Sequence, residues 1–128
     1  MYRPIAVSLL LYFGVFCSPA ADKDPPIGIN QIMVQAHLKP QNRGTRNNLD
    51  NKVIDGKATA EEQKELLRLY ELLANSKPPK GDLGAWKKRT TEMVDSVRAV
   101  IRGDEKAADR LTKARDCKAC HSLHRKTD

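Results

Sequence analysis

Residues 83–100, LGAWKKRTTEMVDSVRAV, carry the pattern that decides the fold of this chain. Apolar or small side chains recur there at alternating steps of three and four residues: Trp86, Thr90, Met93, Val97 and Val100. This spacing places them along one side of an α-helix, as in the seam between packed helices. We therefore expect a long amphipathic helix that packs against others.

The segments before this stretch show the same helical periodicity. A first helix is predicted from apolar residues on one face and is stopped by Pro40: Ile29, Ile32, Met33 and Ala36. A loop over residues 41–48 and a short helix ended by Gly56 follow. Thr59 and Glu62 have the spacing of a capping box, which starts a second main helix before Pro78 and Pro79. Its predicted inner face is Leu66, Leu69, Tyr70 and Leu73.

The last predicted helix follows a tight turn with an N-cap at Gly103-Asp104 and runs from Glu105 to about Arg125. Its inner face includes Ala107, Leu111 and Ala114, and residues 117 and 121 continue that face. No period-two alternation predicts a strand anywhere after residue 25. The pattern therefore predicts an all-α protein, an antiparallel four-helix bundle with short loops.

A five-residue motif lies within this last helix: Cys117-Lys118-Ala119-Cys120-His121. This is the C-x-x-C-H pattern that attaches c-type haem. Two thiols one helical turn apart can each add to a haem vinyl group, and the adjacent imidazole reaches the iron as proximal ligand. The motif predicts one covalently bound haem c per chain, attached at Cys117 and Cys120, with His121 as axial iron ligand.

Residues 1–20 have the features of a secretory signal peptide. Arg3 supplies the charged start, an apolar run covers residues 5–16, and the small residues Ser18 and Ala20 suit cleavage after Ala20. The apolar run is shorter than the roughly 20 residues that span a bilayer, so we expect no membrane span in the mature chain. Residues 21–128 then form one haem-binding domain. Cleavage removes Cys17 and leaves only the two motif cysteines.

The composition fits one small basic domain. The formal net charge is +7, and it falls to +6 when Arg3 is removed. Lys and Arg alternate with Asp and Glu along the chain, and the protein is expected to be exported, so the charge does not indicate nucleic-acid binding. Tyr70 and Trp86 are the only aromatic residues after the signal peptide. A core with so few aromatic side chains would gain stability from burying a large macrocycle.

An exported four-helix chain with its C-x-x-C-H on the last helix resembles the cytochrome c′ and cytochrome c-556 family, the class II c-type cytochromes. The likeness covers roughly residues 27–126, and only Cys117, Cys120 and His121 match a strict motif. The resemblance implies a distal position on the first helix, which in some members holds a methionine that ligates iron and in others an apolar residue that leaves it open. Met33 is the matching residue, and its alternative role is core packing. Met93 is expected in the core.

Two further histidines have open roles. His37 lies one turn beyond Met33, so it is a candidate sixth ligand or propionate contact, but we favour a surface position at the helix end. His124 is a candidate for a propionate or other contact near the haem, or a solvated residue of the tail. Lys87, Lys88, Arg89 and Arg115 are candidate cationic donors to the propionates.

Two other uses of the motif are less consistent with the sequence. A zinc site of two Cys and two His would draw all four ligands from eight consecutive residues, whereas zinc sites usually join separated segments. A dithiol redox motif commonly belongs to a strand-containing fold, and no strands are predicted. No nucleophile and base pair is evident, so we do not expect an enzyme.

The sequence therefore predicts a periplasmic c-type cytochrome that transfers single electrons, with an acidic protein as redox partner. The first alternative is a five-coordinate haem protein that binds nitric oxide or carbon monoxide while Met33 only packs. A haem-free helical interaction module is the second. A homodimer is left open.

Overall fold

The computed structural model describes residues 27–38 and 48–127, which are helical and contain no strand. Helix α1 covers Ile29–Met33 and continues as a π-helix, Val34–Leu38. Helix α2 covers Leu49–Ile54, α3 covers Ala60–Asn75, and α4 covers Leu83–Arg102. Helices α5, Ala107–Ala114, and α6, Cys117–His124, complete the fold. The prediction of an all-α protein is confirmed, while the expected signal peptide and most of the loop before α2 lie outside the described residues.

The boundaries of the long helices follow from local chemistry. At the start of α3, the Glu62 N–H donates to the Thr59 hydroxyl (3.2 Å) and the Glu62 carboxylate accepts from the Thr59 N–H (2.9 Å). This is the predicted capping box. Asp82 caps α4 by accepting from the Ala85 N–H at 2.7 Å. Gly103 ends α4 with φ +75°, a left-handed conformation that glycine adopts without a Cβ clash.

The core lies where α3 and α4 pack side by side and α5 covers α4. The predicted inner face of α3 is wholly buried, and on α4 the residues Trp86, Thr90, Met93 and Val97 are buried as expected. The Trp86 indole N–H donates to the Ser76 carbonyl at 2.9 Å and so ties the start of α4 to the end of α3. Ile32 and Ala36 of the first helical segment and Val53 of α2 complete this core.

The last predicted helix is wrong in two respects. The observed helix begins at Ala107, after Lys106 in a left-handed conformation (φ 60°), whereas the predicted start is Glu105. It is also interrupted, because α5 ends at Ala114 and α6 begins at Cys117. Ala114 is buried, but the helical face does not continue past it. Cys117 and His121 were predicted to face the core, but both are exposed.

Candidate functional site

The interruption between α5 and α6 gives the motif a helix of its own. Asp116 caps α6 by accepting from the Ala119 N–H at 3.0 Å, and its carbonyl accepts from the Cys120 N–H at 3.0 Å. An Asp at this position satisfies backbone donors that the helix leaves free. The motif therefore occupies the first turns of a capped helix, with the two thiols three residues apart.

The two thiols differ in environment. Cys117 is exposed, and its thiol donates to the Arg115 carbonyl at 3.2 Å. Cys120 is half-buried against the core. Burial raises the pKa of the Cys120 thiol, although the nearby Arg89 guanidinium partly offsets this effect. Both cysteines are free, and neither is joined in a disulfide.

The His121 side chain is exposed on α6, directly after Cys120. Within the described part of the chain, no hydrogen bond or ion pair occupies its ring. The i, i+4 spacing places the imidazole on the same face of α6 as Cys117. Cys117, Cys120 and His121 share α6, where Cys117 and His121 are exposed while Cys120 packs against the core.

His124 is the residue that fastens α6 to the rest of the protein. It is 2% exposed, so the sequence-based alternative of a solvated tail residue is wrong. Its Nδ1 lies 3.0 Å from the Lys80 carbonyl oxygen, to which Nδ1–H donates, and its ring meets the Trp86 ring edge to face with centroids 5.2 Å apart. Nε2 is buried and has no hydrogen-bond partner among the described residues. His124, Trp86 and Lys80 are called the α6 clasp below.

Gly81 lets the loop before α4 approach this clasp. Its φ is +84°, and a Cβ added there would lie 2.6 Å from the Leu123 carbonyl oxygen and 3.1 Å from His124 Nδ1. Any other residue would meet both the backbone strain and the close contact. The fit between the loop and the end of α6 therefore depends on a glycine.

Met33 ends α1, and its side chain is half-buried against the core. The chain changes there from α-helix to π-helix, a local irregularity that occurs often at functional sites. No hydrogen bond joins Met33 to the motif, and its ligation of iron stays a prediction. Met93 is buried in the core, as predicted.

A buried ionic cluster adjoins the motif, and it is not among the sequence-based predictions. Asp50 is 1% exposed, and its Oδ2 accepts from His37 Nδ1 at 2.9 Å and from Arg115 Nη1. His37 is thus engaged by a carboxylate, and the favoured surface position is wrong. Burial raises the pKa of Asp50, but the hydrogen bonds and charges of His37 and Arg115 outweigh burial and hold the pKa below its ordinary value.

Tyr70 lies beside the same cluster. Its ring centroid is 5.8 Å from that of His37, and its hydroxyl is buried without a hydrogen-bond partner in the described segments. Burial and the Asp50 charge raise the pKa of Tyr70 far above its ordinary value, so the hydroxyl stays protonated. The burial of Asp50 had one signal in the sequence, because Asp50 is three residues before Val53 and so lies on the same face of α2.

Comparison of the chain with protein-family models, curated proteins and solved structures gave no match. The case for a cofactor therefore depends on the chain's own residues. Two free thiols one turn apart and an exposed imidazole beside the second are the donor set that haem attachment requires, and they fit it. Within residues 27–38 and 48–127, no cluster of three or more His, Cys, Asp or Glu residues is arranged to hold a bare metal ion.

Exposed cations lie in the first turns of α4 and on α6. Lys87 and Lys88 on α4 and Lys118 and Arg125 on α6 are exposed, and none of the four forms an ion pair within the described residues. By contrast, Arg98 and Arg102 at the far end of α4 are paired with carboxylates. Of the helices described, none has the length and apolar character needed to cross a membrane.

Proposed function

We propose that this chain is an exported c-type cytochrome that carries single electrons through one covalently bound haem c. The observation that carries the proposal is the state of the motif: two free thiols one turn apart and an exposed imidazole, on a capped helix. The same helix is fastened to the core by the α6 clasp, so a group attached to it would have a defined position.

Each residue of the site has a distinct role in this proposal. Cys117 and Cys120 would form the thioether bonds, His121 would be the proximal iron ligand, and Met33 would be the distal one. When bound, haem supplies an iron that exchanges one electron at a time. The protein supplies the axial ligands and the surrounding charge, and a methionine ligand raises the reduction potential.

The architecture proposed for the whole domain is that of the cytochrome c′ and cytochrome c-556 family. The antiparallel bundle would have four helical units: α1 with the π-helix, then α3, then α4, and last α5 with α6. The side-by-side packing of α3, α4 and α5 supports this assignment. The fourth unit is interrupted at Arg115 and Asp116 instead of being one continuous helix.

The proposed location is the periplasm, after cleavage of residues 1–20. An acidic redox partner is proposed because α6 and the first turns of α4 carry exposed cations that form no ion pair among the described residues: Lys87, Lys88, Lys118 and Arg125. Opposite charges on two proteins accelerate their encounter, and this effect weakens as salt is added. Electron transfer to a negatively charged partner is therefore expected to slow with ionic strength.

A second candidate function is gas binding at a five-coordinate iron. The observation that favours it is the packing of Met33, whose side chain contacts the core. In that case Met33 fills space and nitric oxide or carbon monoxide takes the distal position.

The two functions are separated by the spectrum and redox behaviour of the purified holoprotein. An electron carrier with Met33 bound is low-spin and shows a sulfur-to-iron charge-transfer band in the far red when oxidised. It titrates as a one-electron couple, with about 59 mV per tenfold change in the ratio of oxidised to reduced protein. Met33→Ala is expected to remove the band, lower the potential and admit carbon monoxide. A wild-type protein that is already high-spin and binds carbon monoxide readily would favour gas binding.

A further inference from the structure

Asp50 joins three separate segments of the chain. It lies in the first turn of α2, its Oδ2 accepts from His37 Nδ1 and Arg115 Nη1, and its Oδ1 accepts from the Asn51 N–H at 2.8 Å. His37 belongs to the π-helix, and Arg115 stands between α5 and α6. One buried carboxylate therefore links the first helical segment to the segment that precedes the motif.

The cluster is shielded from water. The side chains of His37 and Arg115 are only 14% and 18% exposed, and that of Asp50 is 1% exposed. A buried ion pair is weak evidence for stability, because desolvation opposes the attraction of the charges. What such a pair can provide is a fixed arrangement, since a buried carboxylate that loses one partner keeps an uncompensated charge.

The two partners of Asp50 lie close in the sequence to residues that are proposed to ligate or attach the haem. His37 is one helical turn after Met33, the proposed distal ligand. Arg115 is two residues before Cys117, and its carbonyl accepts from the Cys117 thiol at 3.2 Å. In the described residues, the only path of side-chain hydrogen bonds or ion pairs from the π-helix to residues 115–124 passes through Asp50.

We propose that Asp50 is a positioning residue that holds Met33 and the haem-bearing segment in the relative arrangement needed for sulfur ligation. This inference rests on the proposed function. Besides the Asp50 contact, one further side-chain hydrogen bond reaches the π-helix in the described residues, from the Asn48 amide to the His37 carbonyl at 2.6 Å. Without the carboxylate, the π-helix and Arg115 lose their common partner, and sulfur ligation by Met33 would weaken.

A nearby charge and a positioning role have opposite effects on the reduction potential. If Asp50 acted only through its negative charge, Asp50→Asn would raise the potential, because a carboxylate stabilises the ferric state. If Asp50 positions Met33, the same substitution weakens sulfur ligation, which lowers the potential and frees the distal position. The sign of the shift therefore distinguishes the two roles.

The test uses the holoprotein of wild type, Asp50→Asn and the control Asp55→Asn. Asp55 is an exposed carboxylate at the end of the same helix, so it matches the charge change without the buried contacts. For Asp50→Asn we expect the far-red charge-transfer band of the ferric protein to fall by at least half. We also expect carbon monoxide to bind the ferrous protein at least tenfold faster and the potential to fall. Asp55→Asn is expected to keep the wild-type band.

A second pair of variants serves if Asp50→Asn does not fold, and it also tests His37 as a ligand. In His37→Asn the amide replaces the Nδ1–H donor to Asp50, whereas His37→Leu removes it. We expect the band to persist in His37→Asn and to be lost in His37→Leu. A low-spin wild type without the sulfur-to-iron band, converted to high spin in both variants, would identify His37 as the ligand and overturn the proposal.

Three other results overturn it in distinguishable ways. An unchanged band together with a higher potential in Asp50→Asn reduces Asp50 to a nearby charge and leaves the proposed function intact. A wild-type protein with haem but without the band removes Met33 ligation, and the positioning role with it. A wild-type protein without covalent haem ends the proposed function itself.

Discussion

The α6 clasp gives the sharpest prediction about stability. His124→Ala removes the hydrogen bond to the Lys80 carbonyl and the ring contact with Trp86, and it leaves a cavity at a position that is 2% exposed. Truncation of a buried ring at the low end of the aromatic range costs about 3 kcal/mol. Loss of the hydrogen bond costs about 1 kcal/mol. Removal of Nε2, which is buried without a partner in the described residues, stabilises the folded state by about the same amount. We expect a net loss of about 3 kcal/mol.

This loss is measurable by urea unfolding followed by far-ultraviolet circular dichroism. For a domain of this size it corresponds to a fall in Tm of roughly 12–24 °C. Leu123→Ala is the control, because Leu123 is the neighbouring residue on α6 and its side chain is 49% exposed. Its expected cost is below about 1 kcal/mol.

His124→Phe separates the ring from the hydrogen bond. It retains an aromatic edge for Trp86 and removes both the Nδ1–H donor and the unpaired Nε2, so the gain and the loss nearly cancel. We expect it to stay within about 1 kcal/mol of the wild-type protein. If His124→Ala loses no more stability than Leu123→Ala, the reasoning about the clasp is refuted.

Other predictions concern individual contacts and the cofactor. The Asp50 carboxylate stabilises the folded protein above its unfolded pKa of 3.8, and this contribution is lost as the pH falls through the lower folded pKa. The stability that Asp50→Asn loses relative to wild type should therefore shrink below about pH 4 in urea titrations. Thr59→Ala breaks the capping box and should cost about 1 kcal/mol by the same method, and no change would contradict the cap. Gly81→Ala should lower Tm more than Gly56→Ala, because both have positive φ but only Gly81 lacks room for a Cβ. Apoprotein should unfold at lower urea than holoprotein, since a bound group stabilises the folded state, and equal midpoints would contradict a stabilising haem.

Much of the helical architecture could be predicted because it depends on local pattern. The inner faces of α3 and α4 follow from apolar residues at steps of three and four, and the start of α3 follows from the Thr59 and Glu62 pair. Such signals need only neighbouring residues, so one sequence contains them. The same holds for the spacing of Cys117 and Cys120.

The interruption between α5 and α6 coincides with a contact that is distant in the sequence, and the N-cap residue Asp116 is the local signal for it. Arg115 turns to Asp50, which lies 65 residues earlier, and Asp116 then caps a new helix. A helical pattern that runs through residues 105–125 does not contain this contact. The outward position of Cys117 and His121 is a consequence of the same interruption.

The environments of the histidines also depend on tertiary contacts. His37 resembles a surface residue at a helix end until Asp50 from the next helix is placed against it. His124 lies in a polar tail in the sequence, yet its ring fits against Trp86 because the loop at Gly81 comes close. In both cases a side chain with a polar sequence neighbourhood is buried by a segment more than ten residues distant.

The central claim is that haem is covalently attached at Cys117 and Cys120, and the most direct measurement is haem staining after denaturing electrophoresis. The full-length chain is expressed in a host that matures c-type cytochromes, alongside the double variant Cys117→Ser, Cys120→Ser. The account predicts a band with haem peroxidase activity at the mass of the mature wild-type chain and none for the double variant. An unstained wild-type band, from a preparation in which the host's own c-type cytochromes stain, would contradict it.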